Sequence, residues 1–252
     1  MVKLSNRLQT IAERIKPSKT MADIGTDHGF LPIYLRETGQ CHKVIMTDIS
    51  LPSLEKAKKN AELCSGEIKE GIMLRAGDGL HVISPGEVSA VVIAGMGGRL
   101  IRDIMASDMN ITRSVEKFVL QPRIGQGYLR KWLCLNGFII TEEDLVIEGD
   151  YIPEIITVIN PGKVSYKAES MYSGYEERMM SADSGDLIWK IPPWIIRASG
   201  PVDQFLERNI DREKKKLENV MKANTRNIEL EEKLNRGINY LSELAEEYRN
   251  GK

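Results

Sequence analysis

Hydrophobic and polar residues follow two different periods along the first 160 residues of the chain. Short runs rich in Val, Ile and Thr predict strands at 20–25, 43–49, 71–77, 89–95, 117–122, 137–147 and 154–160. Helical patterns lie between them and begin near Phe30, Ser50, Gly98 and Gly127. This alternation is typical of an α/β fold with a parallel, doubly wound sheet, which binds ligands at the carboxyl ends of its strands. Only a loop separates the last two strands, which predicts an antiparallel hairpin at one edge of the sheet.

Both ends of the chain show helical periodicity alone. Apolar residues behind the capping Ser5 predict an amphipathic helix that Pro17 ends. Helical spacing continues from 202 to 248, with heptad intervals in its second half. This pattern predicts an antiparallel coiled-coil hairpin with a turn at 224–227. We therefore expect two domains, an α/β domain over 1–161 and a connecting segment with the hairpin over 162–252.

The composition of the chain indicates a globular protein without a membrane-spanning segment or a metal site. The chain has 252 residues with 42% hydrophobic content, which is enough for a sizeable core. Its scattered cysteines, Cys41, Cys64 and Cys134, indicate reduced thiols and no metal site. No apolar run approaches the ~20 residues that span a membrane, and the N-terminus lacks the apolar core of a signal peptide. We expect a soluble protein of the cytoplasm.

Charge is unevenly distributed, although the formal net charge is only −1. Residues 99–131 carry seven Lys or Arg against three acids, and residues 208–226 carry the same numbers. Local patches of this kind can contact a phosphate backbone. The alternative is that both runs are solvated helix faces, which is the commoner role of charged runs.

The first strand leads into Gly-Thr-Asp-His-Gly at 25–29, which is close to a dinucleotide fingerprint without matching it. A dinucleotide site needs Gly-x-Gly-x-x-Gly, because the backbone must approach a pyrophosphate at a helix N-terminus. Asp27 would repel those phosphate charges. S-adenosylmethionine carries an ammonium and a sulfonium cation and no phosphate. The carboxylate of Asp27 therefore favours this methyl donor over NAD or FAD.

Three further strand ends carry glycine or an acid and complete a candidate methyl-donor site. Asp48 lies about 20 residues beyond the first glycine, where an acid accepts the ribose hydroxyls of a nucleotide. Asp78 can reach an adenine amino group, and 94–98 would form the floor of the crevice. The candidate donor-binding residues are Asp23, Gly25, Thr26, Asp27, His28, Gly29, Asp48, Ile49, Gly77, Asp78, Gly79, Ala94, Gly95, Met96 and Gly97. The alternative is that all four strand ends are ordinary turns.

The sequence DIGTDHGFLP, with AGMGG at 94–98 and LQP at 120–122, resembles the bacterial tRNA (adenine-22) N1-methyltransferases over nearly the whole chain. The resemblance implies a Rossmann-like class I methyltransferase sheet, parallel with an antiparallel edge strand, followed by a coiled-coil hairpin. It also implies S-adenosyl-L-methionine as methyl donor and tRNA as partner. The family often has Tyr where this chain has Phe30, so no role is expected for that hydroxyl. We expect a monomer or weak homodimer without metal or membrane association.

Methylation at N1 explains why the chain lacks the Asn/Asp-Pro-Pro-aromatic motif of amino-group methyltransferases. The N1 lone pair lies in the ring plane and carries no proton, so transfer depends mainly on in-line placement. The product ring is cationic, and Asp27 is the candidate carboxylate to stabilise it. His28 would orient Asp27, and Gln121 would hydrogen-bond the adenine edge. Alternatively, His28 stabilises its own loop and Gln121 makes a structural contact.

An adenine of folded tRNA must be unstacked before its Watson–Crick edge reaches a methyl donor. The candidate phosphate contacts are Arg99, Arg123, Arg208, Arg212, Lys214, Lys215 and Lys216. Trp189 and Trp194 either stack on bases or dock the hairpin against the α/β domain. Two other functions share these features. One is an RNA-binding module that binds the methyl donor without catalysis, and the other is an NAD-linked oxidoreductase.

Overall fold

The computed structural model describes residues 1–15, 17–223 and 227–251. The strands are β1 (Ser18–Ile24), β2 (Cys41–Asp48), β3 (Ile72–Ala76), β4 (Ala90–Met96), β5 (Lys117–Pro122), β6 (Ile139–Leu145) and β7 (Glu154–Ile159). The helices are α1 (Asn6–Arg14), α2 (Phe30–Glu37), α3 (Leu51–Glu62), α4 (Gly66–Glu70), α5 (Gly98–Ser107), α6 (Met109–Ser114), α7 (Gln126–Leu135), α8 (Glu176–Met180), α9 (Leu187–Lys190), α10 (Val202–Met221) and α11 (Ile228–Asn250). The turn predicted at 224–227 lies, except for Asn227, outside the described residues, as does the basic Arg226.

The strands form one seven-stranded sheet in the order β3-β2-β1-β4-β5-β7-β6. Strands β1 to β5 are parallel, and β6 and β7 form the predicted antiparallel hairpin at one edge. The antiparallel strand itself is β7, which lies between β5 and β6 and is antiparallel to both. The outermost strand β6 therefore runs parallel to β1–β5. The antiparallel strand was expected at the edge of the sheet, but it is the second strand from that edge. Local periodicity could not show this, because it does not encode the order in which strands pair.

Local sequence explains where two helices begin. The Ser5 hydroxyl accepts a hydrogen bond from the Leu8 N–H at the start of α1, and the Ser50 hydroxyl accepts one from the Ser53 N–H at the start of α3. Pro52 lies in the first turn of α3, where its missing N–H costs no intrahelical hydrogen bond. The predicted starts of both helices are confirmed.

Apolar side chains pack on both faces of the sheet. One cluster lies on the face covered by α5, α7 and part of 162–201, and it includes Phe118 and Phe138. The cluster on the other face includes Ile11 of α1 and Leu35 of α2. A sheet covered on both faces buries its central parallel strands, which explains why those strands are continuous apolar runs in the sequence.

The connecting segment is attached to the sheet through two tryptophans. Trp189 and Trp194 are both fully buried and pack edge to face, with 6.5 Å between their ring centroids. The Trp194 Nε1–H donates to Glu143 Oε1 of β6 at 2.8 Å. Base stacking by these rings is therefore a wrong prediction. Their role is to dock the connecting segment on the sheet.

A buried ion cluster lies beneath the same segment. Arg130 of α7 is 0% exposed, and its Nη2 lies 2.5 Å from a carboxylate oxygen of Glu143 and 2.6 Å from one of Glu154. Its Nη1 donates to the carbonyl oxygen of Lys190 at 2.8 Å. One guanidinium therefore joins α7, β6, β7 and the connecting segment.

The basic run 99–131 is not a continuous surface patch, which corrects the interpretation from sequence. Arg130 is buried, and Lys131 donates to a carbonyl oxygen of the connecting segment. Arg99 and Arg123 are exposed, so these two remain available to a partner. The sequence gives the number of charged side chains, but it does not show which of them are buried or bonded within the fold.

Helices α10 and α11 form an antiparallel hairpin. Arg249 near the end of α11 pairs with Asp203 and Glu207 in the first turns of α10, at 2.7 Å in both cases. The two helices pack against each other and against Ile191 and Ile195 of the connecting segment. The helical hairpin agrees with the prediction, whereas its coiled-coil packing stays a prediction.

Replacement of Arg130 by Met should strongly destabilise the fold, because two buried carboxylates lose their cation. Breaking a buried ion pair from one side costs about 3–5 kcal/mol. Urea unfolding followed by circular dichroism should show this decrease in the free energy of unfolding. The control Arg102→Met removes a partly exposed arginine paired with Asp103 and should change that free energy by less than about 0.5 kcal/mol. Equal values for the two variants would contradict the role of the cluster.

Candidate active site

The carboxyl ends of β1–β5 meet at one edge of the sheet, because these strands are parallel and in register. Ile24 pairs with Thr47 of β2 and with Ile93 of β4, and Asp48 pairs with Ala76 of β3. The loops that follow these strands therefore lie side by side, which is the arrangement expected for one shared site.

The first glycine loop has an unusual backbone. Gly25, Asp27 and Gly29 have φ angles of 78°, 44° and 70°, and Gly29 is the N-cap of α2. Among the described residues other than glycine, only Asp27 has a positive φ, a conformation that Asp tolerates better than most residues. The N–H groups of Gly25 and Thr26 donate to the Thr47 carbonyl oxygen at 2.8 and 2.9 Å. These bonds tie the loop to the end of β2.

Asp23 is a buried carboxylate at the end of β1. The Thr26 hydroxyl donates to Asp23 Oδ2 at 2.7 Å. Burial raises the pKa of Asp23 to about 6; the Thr26 hydrogen bond opposes this shift, and the nearby Asp48 carboxylate adds to it. The Asp48 carboxylate disfavours the charged form of Asp23, so a cation bound beside Asp23 would favour that form. Such a setting suits a cationic ligand without phosphate.

Asp48 and Asp78 follow neighbouring strands. The Asp48 side chain accepts a hydrogen bond from a backbone N–H at the start of α3 at 2.7 Å, and its carbonyl oxygen accepts one from the Gly77 N–H at 3.1 Å. Asp48 is half-buried, while Ile49 and Asp78 are exposed. Asp78 directly precedes the 3-10 turn Gly79–Val82. The expected contacts of Asp48 with ribose and of Asp78 with adenine stay predictions.

Asp27 lies at the surface beside two positively charged or protonatable groups. Its side chain is 55% exposed, with Lys56 Nζ at 3.2 Å and His28 Nε2 at 3.4 Å from its oxygens. The His28 ring stacks on the Phe30 ring at 5.3 Å between centroids. His28 is thus placed to orient the carboxylate, as expected, while Lys56 is a partner that the sequence did not indicate.

The loop after β4 packs directly on its neighbours. A Cβ atom at Gly98 would lie 2.4 Å from the Gly125 carbonyl oxygen, so only glycine fits there. The Gly98 N–H donates to the Ile124 carbonyl oxygen at 2.7 Å. The Met96 side chain reaches the first loop, where its Cε would lie 2.2 Å from a Cβ at Gly25. The ends of β1, β4 and β5 are therefore in contact.

Gln121 at the end of β5 has a fixed amide. It is buried, and its Oε1 accepts hydrogen bonds from Arg7 Nη1 and from the Gly95 N–H, both at 3.1 Å. Its Nε2 lies 3.2 Å from the Pro122 carbonyl oxygen. The structural contact considered from the sequence therefore exists. Since one N–H of Nε2 donates to the Pro122 carbonyl oxygen, a single amide N–H of Gln121 has no partner among the described residues.

A cleft of about 680 Å³ opens between the ends of β4 and β5 and helix α10, and its lining does not include the loops after β1, β2 and β3. The predicted site residues that line it are Gly95, Gln121, Arg123, Arg208 and Arg212. The structure thus brings one adenine-contact candidate together with phosphate-contact candidates from both parts of the chain. Asp27 and His28 lie outside this lining.

The other predicted phosphate contacts lie away from the cleft. The Arg99 guanidinium lies over the Tyr128 ring, 3.8 Å from its centroid. Lys214, Lys215 and Lys216 are exposed further along α10, and Lys216 pairs with the preceding Glu213. They extend the cationic surface that begins at the cleft.

The side chains of the cleft lining that were not singled out from the sequence include Arg7, Tyr151 and Lys190. Arg7 lies on α1, Tyr151 on the loop between β6 and β7, and Lys190 in the connecting segment. Burial lowers the pKa of Lys190, and the nearby Lys216 lowers it further. Each residue comes from a different element, so no local motif could mark them.

No group of three or more His, Cys, Asp or Glu side chains in the described part of the chain is arranged to hold a metal ion. Within residues 1–15, 17–223 and 227–251, no helix is long and apolar enough to cross a membrane. The cysteines are free thiols, and burial raises the pKa of Cys41 to about 11.

Comparison with known proteins identifies the family. Residues 4–156, more than half of the chain, match the methyltransferase domain family. A tRNA (adenine(22)-N(1))-methyltransferase of Bacillus subtilis is 36% identical over 155 residues, which cover 62% of this chain and 64% of that enzyme. The matched region therefore spans slightly less than two thirds of this relative's length.

Solved structures agree with the sequence match. The crystal structure of the Bacillus subtilis m1A22 tRNA methyltransferase TrmK has a TM-score of 0.77 at 27% identity, and covers 97% of this chain and 100% of that chain. Streptococcus pneumoniae Sp1610, in complex with S-adenosyl-L-methionine, has a TM-score of 0.76 at 26% identity and covers 96% and 100%. The chain belongs to the methyltransferase domain family, and its resemblance to the bacterial tRNA (adenine(22)-N(1))-methyltransferases is confirmed.

Proposed function

We propose that this protein transfers a methyl group from S-adenosyl-L-methionine to N1 of adenine 22 in tRNA. The observation that carries the proposal is the cleft between the ends of β4 and β5 and the cationic side chains of α10. One wall contains Gly95 and Gln121, and the other presents Arg208 and Arg212. The family match and the similarity to the Bacillus subtilis enzyme support the same reaction.

The acids at the strand ends suit a methyl donor that is cationic and free of phosphate. A positive charge beside Asp23 and Asp48 would lower the raised pKa of Asp23 toward its ordinary value. S-adenosyl-L-methionine supplies an electrophilic methyl group on such a cation. We propose that it is held by the loop 25–29, by Asp48 and Asp78, and by the loop 94–97.

Gln121 is proposed to hold the adenine through Nε2. Its oxygen already accepts two hydrogen bonds, from Arg7 and Gly95, and one N–H of Nε2 donates to the Pro122 carbonyl oxygen, so the amide offers its second N–H to a ligand. A donor suits a ring nitrogen other than N1, which must keep its lone pair free to attack. With the base fixed in this way, N1 can be placed in line with the methyl group. Such placement can contribute about 7–11 kcal/mol to lowering the barrier.

Asp27 is proposed to stabilise the positive charge that develops on the adenine ring. Its carboxylate is held by Lys56 and His28 and lies outside the lining of the cleft. Its effect would therefore be electrostatic, exerted across the loop without direct contact with the base.

tRNA is proposed to bind across the cleft. Arg123, Arg208 and Arg212 would contact the phosphates that flank the extruded adenine, and the lysines further along α10 would contact phosphates beyond it. Methyl-donor binding by 1–161, tRNA binding by 162–252 and a cytoplasmic location belong to the same proposal. The expected monomer or weak homodimer stays a prediction.

Mass spectrometry of tRNA nucleosides tests the reaction directly. Purified protein incubated with S-adenosyl-L-methionine and an unmodified tRNA bearing adenine at position 22 should form 1-methyladenosine. The same tRNA with guanine at position 22 should form none. Binding of both the donor and tRNA without 1-methyladenosine would instead support the non-catalytic RNA-binding module.

The variant Asp27→Ala should lower kcat for methyl transfer by about 10- to 100-fold. Loss of one preorganised electrostatic group at a buried site costs about 10²- to 10³-fold, and solvent screening reduces the effect at an exposed carboxylate. The control Asp103→Ala removes an exposed carboxylate of α5 and should leave kcat unchanged. Single-turnover kinetics measures the step. An unchanged kcat together with weaker binding of S-adenosyl-L-methionine in calorimetry would contradict the catalytic role and show that Asp27 contributes to donor binding.

Replacing Lys214, Lys215 and Lys216 together with Gln should weaken tRNA binding and reduce its salt dependence. Each lost phosphate contact lowers the slope of log K against log salt by about 0.9. Filter binding between about 50 and 200 mM salt covers the range in which such contacts matter.

A matched control for the lysine variant replaces Lys58, Lys59 and Lys69, which are exposed on α3 and α4, with Gln. It makes the same change in net charge away from α10. Equal salt slopes for the two triple variants would show that the α10 lysines only contribute to overall charge. Substitution is preferable to removal of 202–252, because removal would uncover the apolar contact with Ile191 and Ile195.

A further inference from the structure

Tyr151 is a large aromatic side chain that the fold leaves in water. It is 77% exposed and lines the cleft that also contains Gln121. None of the described residues makes a ring–ring or cation–π contact with it. An aromatic ring contributes to protein stability mainly through burial, so packing within this chain does not explain its position.

The loop that carries Tyr151 is fixed from both sides. Glu148 and Tyr151 exchange two backbone hydrogen bonds, at 3.0 and 3.1 Å. Arg208 of α10 donates to the Asp150 carbonyl oxygen at 2.9 Å, and Arg7 of α1 pairs with Glu148 at 3.2 Å. The ring therefore stands on an anchored backbone, and a ligand that contacts it would not have to order the loop first.

The charges around the ring favour a polyanion that carries flat groups. Arg123, Arg208 and Arg212 line the same cleft as Tyr151. The lining contains three acids, Glu148, Asp150 and Glu154; Glu148 is paired with Arg7 and Glu154 with Arg130, so the three arginines outnumber the one remaining acid, Asp150. Cationic side chains that follow a backbone, together with an exposed aromatic ring for bases, are the usual composition of a single-stranded nucleic-acid site.

We propose that Tyr151 stacks on an unstacked base of the substrate RNA and thereby holds the extruded nucleotide in the cleft. This inference rests on the proposed function and deepens it by assigning a residue to substrate positioning. A base that leaves its own stack loses a few kcal/mol of stacking free energy. A new stack on a tyrosine ring offsets that loss, and it can do so for any base, because every base has a flat π-face.

The test compares Tyr151→Ala, which removes the ring, with Tyr151→Phe, which keeps the ring and removes only the hydroxyl. Tyr151→Ala should raise KM for tRNA and the Kd for tRNA by about tenfold, since stacking on one aromatic ring contributes by that order. Tyr151→Phe should stay within about twofold of the wild type. Neither variant should change the Kd for S-adenosyl-L-methionine or the melting temperature, because the ring is exposed. The control Tyr166→Ala removes another exposed tyrosine, which lies outside the cleft lining, and should leave all four quantities unchanged.

Two results would overturn the stacking role. One is a Tyr151→Ala variant with the same KM and Kd for tRNA as Tyr166→Ala; the other is a Tyr151→Phe variant as impaired as Tyr151→Ala. Should Tyr151→Ala melt at a lower temperature, Tyr151→Leu keeps an apolar side chain of similar bulk and replaces it in the comparison. Absence of 1-methyladenosine with the wild type would refute the proposed reaction separately, and the Kd values for tRNA would still decide whether Tyr151 stacks.

Discussion

The buried guanidinium of Arg130 is the interaction on which the arrangement of the two parts of the chain depends. Burial opposes its charge, yet Glu143 and Glu154 raise the pKa of Arg130 above its ordinary range. Such a cluster is weak evidence for stability but a strong geometric constraint, since every partner must be in place to compensate the desolvated charge. Here the partners are two neighbouring strands and the carbonyl oxygen of Lys190. Helices α10 and α11 pack on the residues that follow Lys190. The position of α10, which forms one wall of the cleft, therefore depends on this ion cluster.

The strand ends impose a second constraint, which is electrostatic. The fold buries Asp23 and places Asp48 close enough to disfavour its charge further. A loop with positive φ angles at Gly25 and Asp27 then brings the backbone itself to the same edge of the sheet. A phosphate would add a further negative charge to this group, whereas a sulfonium or ammonium would offset it. The charge of the two acids therefore favours a cationic ligand over a phosphate at this edge of the sheet.

Local signals in the sequence predicted the seven strands and the longer helices, but they missed the short helices α4, α6, α8 and α9 and did not determine how the strands assemble. The strand β5 was predicted with its observed bounds, and the caps at Ser5 and Ser50 were predicted because hydrophobic periodicity and capping are short-range properties. The position of β7 inside the hairpin pair depends on long-range pairing, which no local pattern encodes. Arg130 was counted as a surface charge for the same reason, since its partners are distant in sequence. The glycine loops were informative because the fold requires glycine at Gly98 and a positive φ at Gly25 and Gly29, which are local properties that a sequence motif can mark.

The N-terminal helix α1 is part of the site, although the sequence indicated only an amphipathic element. Arg7 of this helix and the Gly95 N–H both hold Gln121 Oε1, and Arg7 also pairs with Glu148 beside the Tyr151 loop. Three groups are thereby positioned relative to one another: the loop proposed to hold the methyl donor, the amide proposed to hold adenine, and the exposed ring of the cleft. A reaction that requires no proton removal from its nucleophile depends on placement above all. The contacts of Arg7 therefore fix the end of β5 relative to the loop after β4 and to the loop of Tyr151, which is the kind of placement that such a transfer needs.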